Sequence, residues 1–209
     1  PTDMGVNMIK QCIIDDDIVK NAAKSEIIRR YYNALCDHKK GLCSEESAQR
    51  IEIMMNKLEI SAKDRNVISA ALEKEETENK NVVAIELPNG KIITGKESEL
   101  LSAASAAIIN VLKEITNIPE EMYLLSPSML EAIFKTKQNT SYRTSYCLNV
   151  QEVLIALSIC SSTNPIIEKM ISKIGELRGY EAHSTYIIEQ SEFNVLKNLG
   201  INLTCEPKI

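Results

Sequence analysis

The sequence predicts an α/β fold, with a three-layer α/β subdomain at residues 82–209 that follows an all-α helical subdomain at residues 1–81. Up to residue 81, apolar positions recur at helical spacing, and capping residues precede the runs. Beyond it, β-rich runs stand near both ends with helical segments between them. Because helices that connect strands of one sheet pack on its faces, three layers are expected.

Three helices are predicted in the first subdomain. The first begins after a run of aspartates at 15–17 and ends with basic residues before Gly41, which suits the helix dipole and a glycine stop. The second begins at Ser44, and the third at Ser61, where Asp64 completes a capping-box pattern. Residues 1–7 are polar and contain a glycine, so a loop is predicted there.

The second subdomain begins with a predicted hairpin. Residues 82–87 and 91–94 are β-rich and are joined by Pro-Asn-Gly, a typical hairpin turn. Residues 98–116 follow as a helix that is apolar nearly all round and therefore expected to be buried. Further helices are predicted to begin at Ser126-Pro127, at Asn149 and at Asn164-Pro165. The last two strands are predicted at 180–188 and 201–205.

Composition excludes several functional classes. With 44% hydrophobic and 25% charged residues the chain is globular, and a net charge of −5 without a basic block predicts no nucleic-acid partner. The longest nearly uncharged stretch is shorter than a membrane span, so no membrane partner is expected either. The two histidines lack ligands at zinc spacing. Because the chain starts at Pro1 with no secretion signal, we expect a segment of a longer cytoplasmic polypeptide.

Residues 90–96 spell G-x-x-x-x-G-K, most of a phosphate-binding loop. The first glycine belongs to the predicted hairpin, and Glu97 replaces the Ser or Thr that would hold magnesium, which favours a plain hairpin. A weaker alternative remains open. In this alternative, the N-terminus of the helix predicted at 98–116 would bind an anion, and the binding residues would be Gly95, Lys96 and Ser98.

A second candidate site lies on the strand predicted at 180–188. Glu181 and His183 are two residues apart and therefore share a face, so Glu181 would orient His183 as a general base. In the structural alternative, His183 only makes hydrogen bonds near the strand end. A nucleophilic pair of Cys205 with His183 is a third interpretation, which requires the last two strands to be neighbours.

Several motifs occur together in this chain: PTDMGVN at 1–7, SEIIRRYY at 25–32, LPNGKIITGK at 87–96, VLIALSICSSTNP at 153–165, RGYEAHSTYI at 178–187 and LGINLTCEP at 199–207. Their combination resembles the C-terminal part of a bacterial family known as domain of unknown function eighteen forty-six. The resemblance implies a missing N-terminal domain with a phosphate-loop-like segment, and a topology similar to the cytidine-deaminase fold.

The resemblance does not carry an activity with it. The H-x-E and P-C-x-x-C motifs of zinc deaminases are absent, no sequence feature supports the peptidase label given to some relatives, and no cofactor is assigned. One hypothesis is an enzyme site for a nucleotide or phosphorylated ligand, formed with the missing domain and using Lys96, Glu181 and His183. The alternative is a non-catalytic assembly module, in which the small-residue face of the helix at 98–116 and the long first helix would pack against that domain or another subunit.

Overall fold

The computed structural model describes residues 16–140 and 147–208, which belong to two units that divide between Arg65 and Asn66. The loop predicted at residues 1–7 lies outside the described residues. The first unit holds helices α1 (Asp16–Lys39) and α2 (Glu45–Lys57) and a 3₁₀ turn at Ala62–Asp64. Helices α1 and α2 and the capping box between Ser61 and Asp64 are confirmed, but the third helix begins at Asn66, after the 3₁₀ turn, rather than at Ser61.

A four-stranded sheet organises the second unit, in the order β2-β1-β3-β4. Strand β1 pairs antiparallel with both of its neighbours, whereas β3 and β4 are parallel. The predicted hairpin is confirmed between β1 and β2, with Gly90 at φ +80° in its turn. The strands are β1 (Val82–Glu86), β2 (Ile92–Lys96), β3 (Glu181–Ser184) and β4 (Asn202–Cys205).

Helices cover this sheet. All residues from Val82 to Ile85 of β1 are buried, and since neighbouring side chains point to opposite faces, both faces of β1 are covered. Helices α3 and α4 each contact β1 and β2, and the α/β class is therefore confirmed. The helices of this unit are α3 (Asn66–Glu78), α4 (Ala103–Thr116), α5 (Pro127–Thr140), α6 (Val150–Ser161), α7 (Pro165–Ser172) and α8 (Gln190–Asn198), with a 3₁₀ helix at Ile174–Leu177.

Two boundaries differ from the sequence prediction. Helix α3, assigned above to the helical subdomain, packs on β1 and β3 and belongs to the same unit as the sheet, because Val67, Ile68 and Ala71 form an apolar face that the strands bury. Helix α4 begins at Ala103 rather than Ser98, because Ser102 supplies the N-cap oxygen that accepts the amide N–H of Ser105.

The small-residue segment of α4 lies directly against β2. A Cβ atom at Gly95 would overlap the backbone nitrogen of Ala107 and lie 2.5 Å from its Cα. This close approach explains why small residues occupy both elements, and it holds the N-terminal end of α4 near the sheet. None of the described helices is long and apolar enough to cross a membrane.

Candidate functional site

The residues predicted to bind an anion already make contacts within the protein. Lys96, at the end of β2, donates from Nζ to Glu78 Oε2 at 2.8 Å, and hydrogen bonds from Lys96 and Lys74 lower the pKa of Glu78 to about 2. Ser98 Oγ accepts the N–H of Leu101 at 3.0 Å. Because α4 begins only at Ala103, these residues do not form its N-terminus, and anion binding by Gly95, Lys96 and Ser98 stays a prediction.

His183 lies inside the sheet with a solvent exposure of 0%. Its Nδ1 is 2.8 Å from Thr204 Oγ1 and its Nε2 is 3.1 Å from Glu206 Oε1. The carboxylate of Glu181 accepts a hydrogen bond from Asn202 Nδ2 at 2.9 Å. The imidazole is thus buried with a partner at each ring nitrogen, and Glu206 supplies the carboxylate that was expected from Glu181; this burial favours the structural alternative for His183.

The strand register separates Cys205 from His183. Strands β3 and β4 are neighbours, as the pair requires, but His183 lies opposite Thr204, and Cys205 lies opposite Ser184. Since consecutive side chains on a strand point to opposite faces, Cys205 and His183 are on different sides of the sheet. The nucleophilic Cys–His pair is therefore wrong.

The structure instead brings together polar side chains around a cavity of about 330 Å³. The N-terminal ends of α4, α6 and α8 meet there, together with the C-terminal part of α5 and the segment that follows β3. The three helix ends contribute Ser102, Asn149 and Glu192 to the lining. The other two segments contribute Lys137 and Tyr186. Helix N-termini present unpaired N–H groups and a positive dipole end, so this arrangement favours negative charge.

Glu192 is the carboxylate on which two of these helix ends converge. It is only 5% exposed, and its Oε1 accepts the hydroxyl of Ser102 at 2.6 Å and the N–H of Val150 at 2.9 Å. Ser102 Oγ also accepts the amide N–H of Ser105, and its hydroxyl hydrogen has two acceptors within reach, Ser105 Oγ at 2.9 Å and, at the shorter distance, Glu192 Oε1. Glu192 thus links α8 to the first residue of α6 and to the cap of α4.

The two carboxylate oxygens of Glu192 have different surroundings. Within residues 16–140 and 147–208, no hydrogen bond reaches Oε2, and Glu192 is one of the residues that line the cavity. Burial raises the pKa of Glu192 above its ordinary value, and nearby Glu189 raises it further, whereas the bonds from Ser102 and Val150 and the charge of Lys137 oppose the rise. A carboxyl group of this kind is suited to proton transfer.

Lys137 is held in place beside the cavity. Its Nζ donates to Glu152 Oε2 at 2.8 Å and to the carbonyl oxygen of Cys147 at 2.7 Å. Glu152 also accepts the N–H of Asn149, and its own N–H donates to Asn149 Oδ1, which makes a capping box at the start of α6. The lysine charge is therefore compensated by a carboxylate that the helix cap orients.

Tyr186 completes the polar lining. It follows β3 in a turn where its amide N–H donates to Ser184 Oγ, and this turn ends the strand four residues before the predicted end at Ile188. Burial raises the pKa of Tyr186 above its ordinary value, with Glu192 and Glu97 adding to the effect. The phenol therefore stays protonated at neutral pH, and the structure shows no hydrogen-bond partner for its hydroxyl among the described residues.

Sequence inspection missed Glu192, Tyr186 and Lys137 because the cavity joins segments that are remote in the chain. The bond between Ser102 and Glu192 spans 90 positions, and the one between Glu192 and Val150 spans 42. A local signal existed only for the capping box of Asn149 and Glu152. Among the described residues, no group of three or more His, Cys, Asp or Glu side chains is placed to hold a metal ion.

The comparisons with known proteins identify the family. Residues 63–209 match the profile described as "Domain of unknown function DUF1846, C-terminal", and residues 1–59 match the corresponding N-terminal profile. The chain belongs to this family. The resemblance to the C-terminal part alone was too narrow, since the helical segment matches the N-terminal profile.

Similar proteins come from species of Clostridium and Fusobacterium. A UPF0371 protein of Clostridium botulinum is 44% identical to this chain, and the match covers 99% of it. A UPF0371 protein of Fusobacterium nucleatum is 43% identical over 99% of the chain, and a UPF0371 protein of Clostridium tetani is 42% identical over 100% of it. In each case the match covers 43% of the relative. The chain thus spans less than half the length of these relatives, whose printed names state no activity.

Proposed function

We propose that residues 66–209 form an acid–base site of an enzyme that acts on a small polar substrate, and that Glu192 takes up and releases the proton. The observation that carries this proposal is the unequal surroundings of the two Glu192 oxygens. Glu192 lines the cavity; its Oε1 is fixed by Ser102 and Val150, and its Oε2 accepts no hydrogen bond from the described residues.

In this geometry one oxygen of the carboxyl group, Oε1, fixes the side chain, and the other, Oε2, would exchange the proton. Both bonds to Oε1 persist whether Oε2 is protonated or not, so the side chain does not have to move when the proton is transferred. Preorganised groups of this kind lower the cost of reaching the transition state. Tyr186 would donate its hydroxyl hydrogen to the same ligand, because its raised pKa keeps it neutral. The whole protein would supply further groups from the length that this chain does not span.

The titration of Glu192 tests the proposal directly. Carbon-13 NMR of glutamate carboxyl groups should show one group that titrates above the ordinary value of 4.5 and is missing in Glu192→Gln. Ser102→Ala should raise this pKa further, because the lost hydrogen bond favours the ionised form. Glu176→Gln, at an exposed ion pair with Lys173, is the matched control and should leave the resonance unchanged.

A Glu192 carboxyl that titrates at or below 4.5 would overturn the proton-transfer role. If Ser102→Ala left the titration unchanged, the hydrogen bond would not tune the group, and Glu192 would be only a structural link between helices. Circular dichroism of each variant should precede the titration, since Glu192 is buried.

The sequence-based alternatives are less well supported by this cavity. A nucleotide or phosphorylated ligand would meet the carboxylates of Glu97, Glu152, Glu189 and Glu192, with Lys137 as the one lysine among the described lining residues. A catalytic role for His183 with Glu181 would need the buried imidazole to become accessible. The deaminase-like topology stays a proposal that the strand order β2-β1-β3-β4 supports. Because residues 1–59 already match the N-terminal profile, a site shared with a missing N-terminal domain stays a prediction.

The assembly-module alternative rests on a separate observation. Ile155 and Ile159, one turn apart on α6, are 54% and 64% exposed, and Ile166 on α7 is 41% exposed. Apolar side chains grouped in this way are typical of interaction surfaces. Sedimentation velocity would test it, since self-association supports a homo-oligomer and a monomer at every concentration opposes one.

A further inference from the structure

Strand β2 forms an edge of the four-stranded sheet and has β1 as its neighbour. Its main-chain groups alternate in direction, because antiparallel strands exchange hydrogen bonds at every second residue pair. Glu97 donates its N–H to Asn81 at 2.9 Å, which fixes this alternation, so that Gly95 and Ile93 also bond to β1. The main-chain groups of the remaining residues therefore point away from the sheet: Ile92, Thr94 and Lys96.

This edge is open in the described part of the chain. The outward N–H groups, those of Ile92, Thr94 and Lys96, donate no hydrogen bond there. The carbonyl oxygen of Thr94 accepts Asn110 Nδ2 of α4 at 2.9 Å, but a carbonyl oxygen has two lone pairs and can accept a second donor. Unpaired groups along a strand are a template for pairing with another strand.

The lysines that flank the edge do not protect it. Lysine on an edge strand usually discourages pairing, because its charge would be brought against another chain. Here Lys91 pairs with Glu114 of α4, and Lys96 pairs with Glu78 of α3 at 2.8 Å. Both charges are compensated within one copy, and the edge can accept a further strand.

A second copy of β2 matches this edge. When two β2 strands run antiparallel with their Thr94 residues opposite each other, every outward N–H meets an outward C=O of the other strand. The same register places Lys91 of each copy opposite Glu97 of the other. Opposite charges in cross-strand pairs stabilise a register, whereas like charges oppose it.

We propose that two copies of this chain join through β2, in an antiparallel pair centred on Thr94 that continues the sheet from one copy into the other. The contact has twofold symmetry, so each copy contributes the same strand and the charge pair occurs twice. Hydrogen bonds of the main chain hold the strands together, and the pairing of Lys91 with Glu97 selects the register. This inference goes beyond the proposed function, because it does not depend on the titration of Glu192.

Hydrogen exchange measured by NMR at a series of protein concentrations locates the contact. In the monomer, β1 protects the amides of Ile93 and Gly95, whereas those of Ile92, Thr94 and Lys96 exchange with solvent. We expect the outward amides to become at least about tenfold more protected as sedimentation velocity shows a dimer to form. A monomer at every concentration up to about 1 mM would overturn the inference. So would a dimer whose outward β2 amides still exchange freely, because another surface, such as the isoleucines of α6, would then hold it.

A charge exchange tests the register. Lys91→Glu puts like charges opposite each other in both symmetric pairs and should weaken the dimer about tenfold. The double variant with Lys91→Glu and Glu97→Lys restores opposite charges and should recover most of the affinity. Lys173→Glu is the matched control, since it also changes an exposed lysine that pairs with a glutamate, and it should leave the affinity unchanged. Equal weakening by the two single variants, or no recovery in the double variant, would overturn the pairing centred on Thr94.

Thr94→Pro tests the main-chain hydrogen bonds. Proline is tolerated on an edge strand where its nitrogen faces solvent, so this variant should fold, which circular dichroism checks. It removes the central outward N–H and should weaken the dimer at least about tenfold, whereas Thr94→Ala keeps the N–H and should associate as the natural protein does. An unchanged dimer in Thr94→Pro would overturn the inference. If this variant fails to fold, the exchange measurement on the natural protein still decides.

Discussion

Gly95 shows how one residue allows two elements to approach each other. It lies in β2 under α4, and the space that a Cβ would need is filled by the backbone of Ala107. The backbone of a helix cannot shift locally as the end of a long side chain can. The residue that the sequence singled out as a phosphate-loop glycine is thus required for packing.

Gly95→Ala should therefore destabilise the protein by about 2–3 kcal/mol, the cost of overfilling a packed interior. Gly175→Ala is the matched control, because a Cβ there meets no atom within 4 Å and its φ is not positive, and it should change the stability by less than about 0.5 kcal/mol. Urea denaturation of both variants measures the difference. Equal stability of the two would show that α4 moves away from β2 without cost.

At the scale of elements, helix caps decide where the cavity is. Asn149 and Glu152 make the capping box of α6, and the same Glu152 holds Lys137 of α5. The start of α6 and the end of α5 are thereby coupled through one carboxylate. A sequence pattern locates such a cap, but it does not show that a lysine from another helix will share it.

Asn149→Ala should cost about 1 kcal/mol of stability, because the N–H of Glu152 loses its acceptor at the helix start. Asn149→Ser restores an acceptor of suitable length and should recover most of the loss. Thermal denaturation of the three proteins tests this. If the alanine and serine variants were equally stable, the side-chain cap would contribute nothing at this position.

The prediction of elements succeeded where capping and turn residues are typical, and it failed at two ends where a local turn was not recognised in the sequence. The hairpin turn and the caps at Ser61, Asn149 and Asn164 are confirmed because their hydrogen bonds lie within four residues. Strand β3 is shorter than predicted because the turn at Tyr186 directs the chain towards the cavity. Likewise, α4 starts late because residues 98–101 form a separate turn.

At the scale of the whole molecule, Glu192 links the stability of the second unit to pH. Its folded-state pKa is raised above the ordinary 4.5, so the folded protein binds this proton more tightly than the unfolded chain does. The corresponding stabilisation is fully present below 4.5 and is lost as the pH rises through the raised value. Above that value the buried charge opposes folding.

The Glu192→Gln variant should not show this loss of stability, because the glutamine side chain stays neutral at every pH. The difference in unfolding free energy between the variant and the natural protein should change in favour of the variant as the pH rises from 4.5, by about 1.4 kcal/mol for each unit of pKa elevation. Urea denaturation at a series of pH values measures it. A difference that is constant with pH would contradict a raised pKa.

Helical periodicity, the β-rich runs and the capping patterns suffice to predict an α/β chain with its hairpin and most of its helices, since each depends on residues close in sequence. The site depends on contacts that no local pattern contains. Glu192 meets Ser102 across 90 positions, and His183 is placed inside the sheet by the pairing of β3 with β1 and β4. Tertiary packing alone determines which carboxylate is buried beside a cavity, because burial and desolvation are properties of the folded chain.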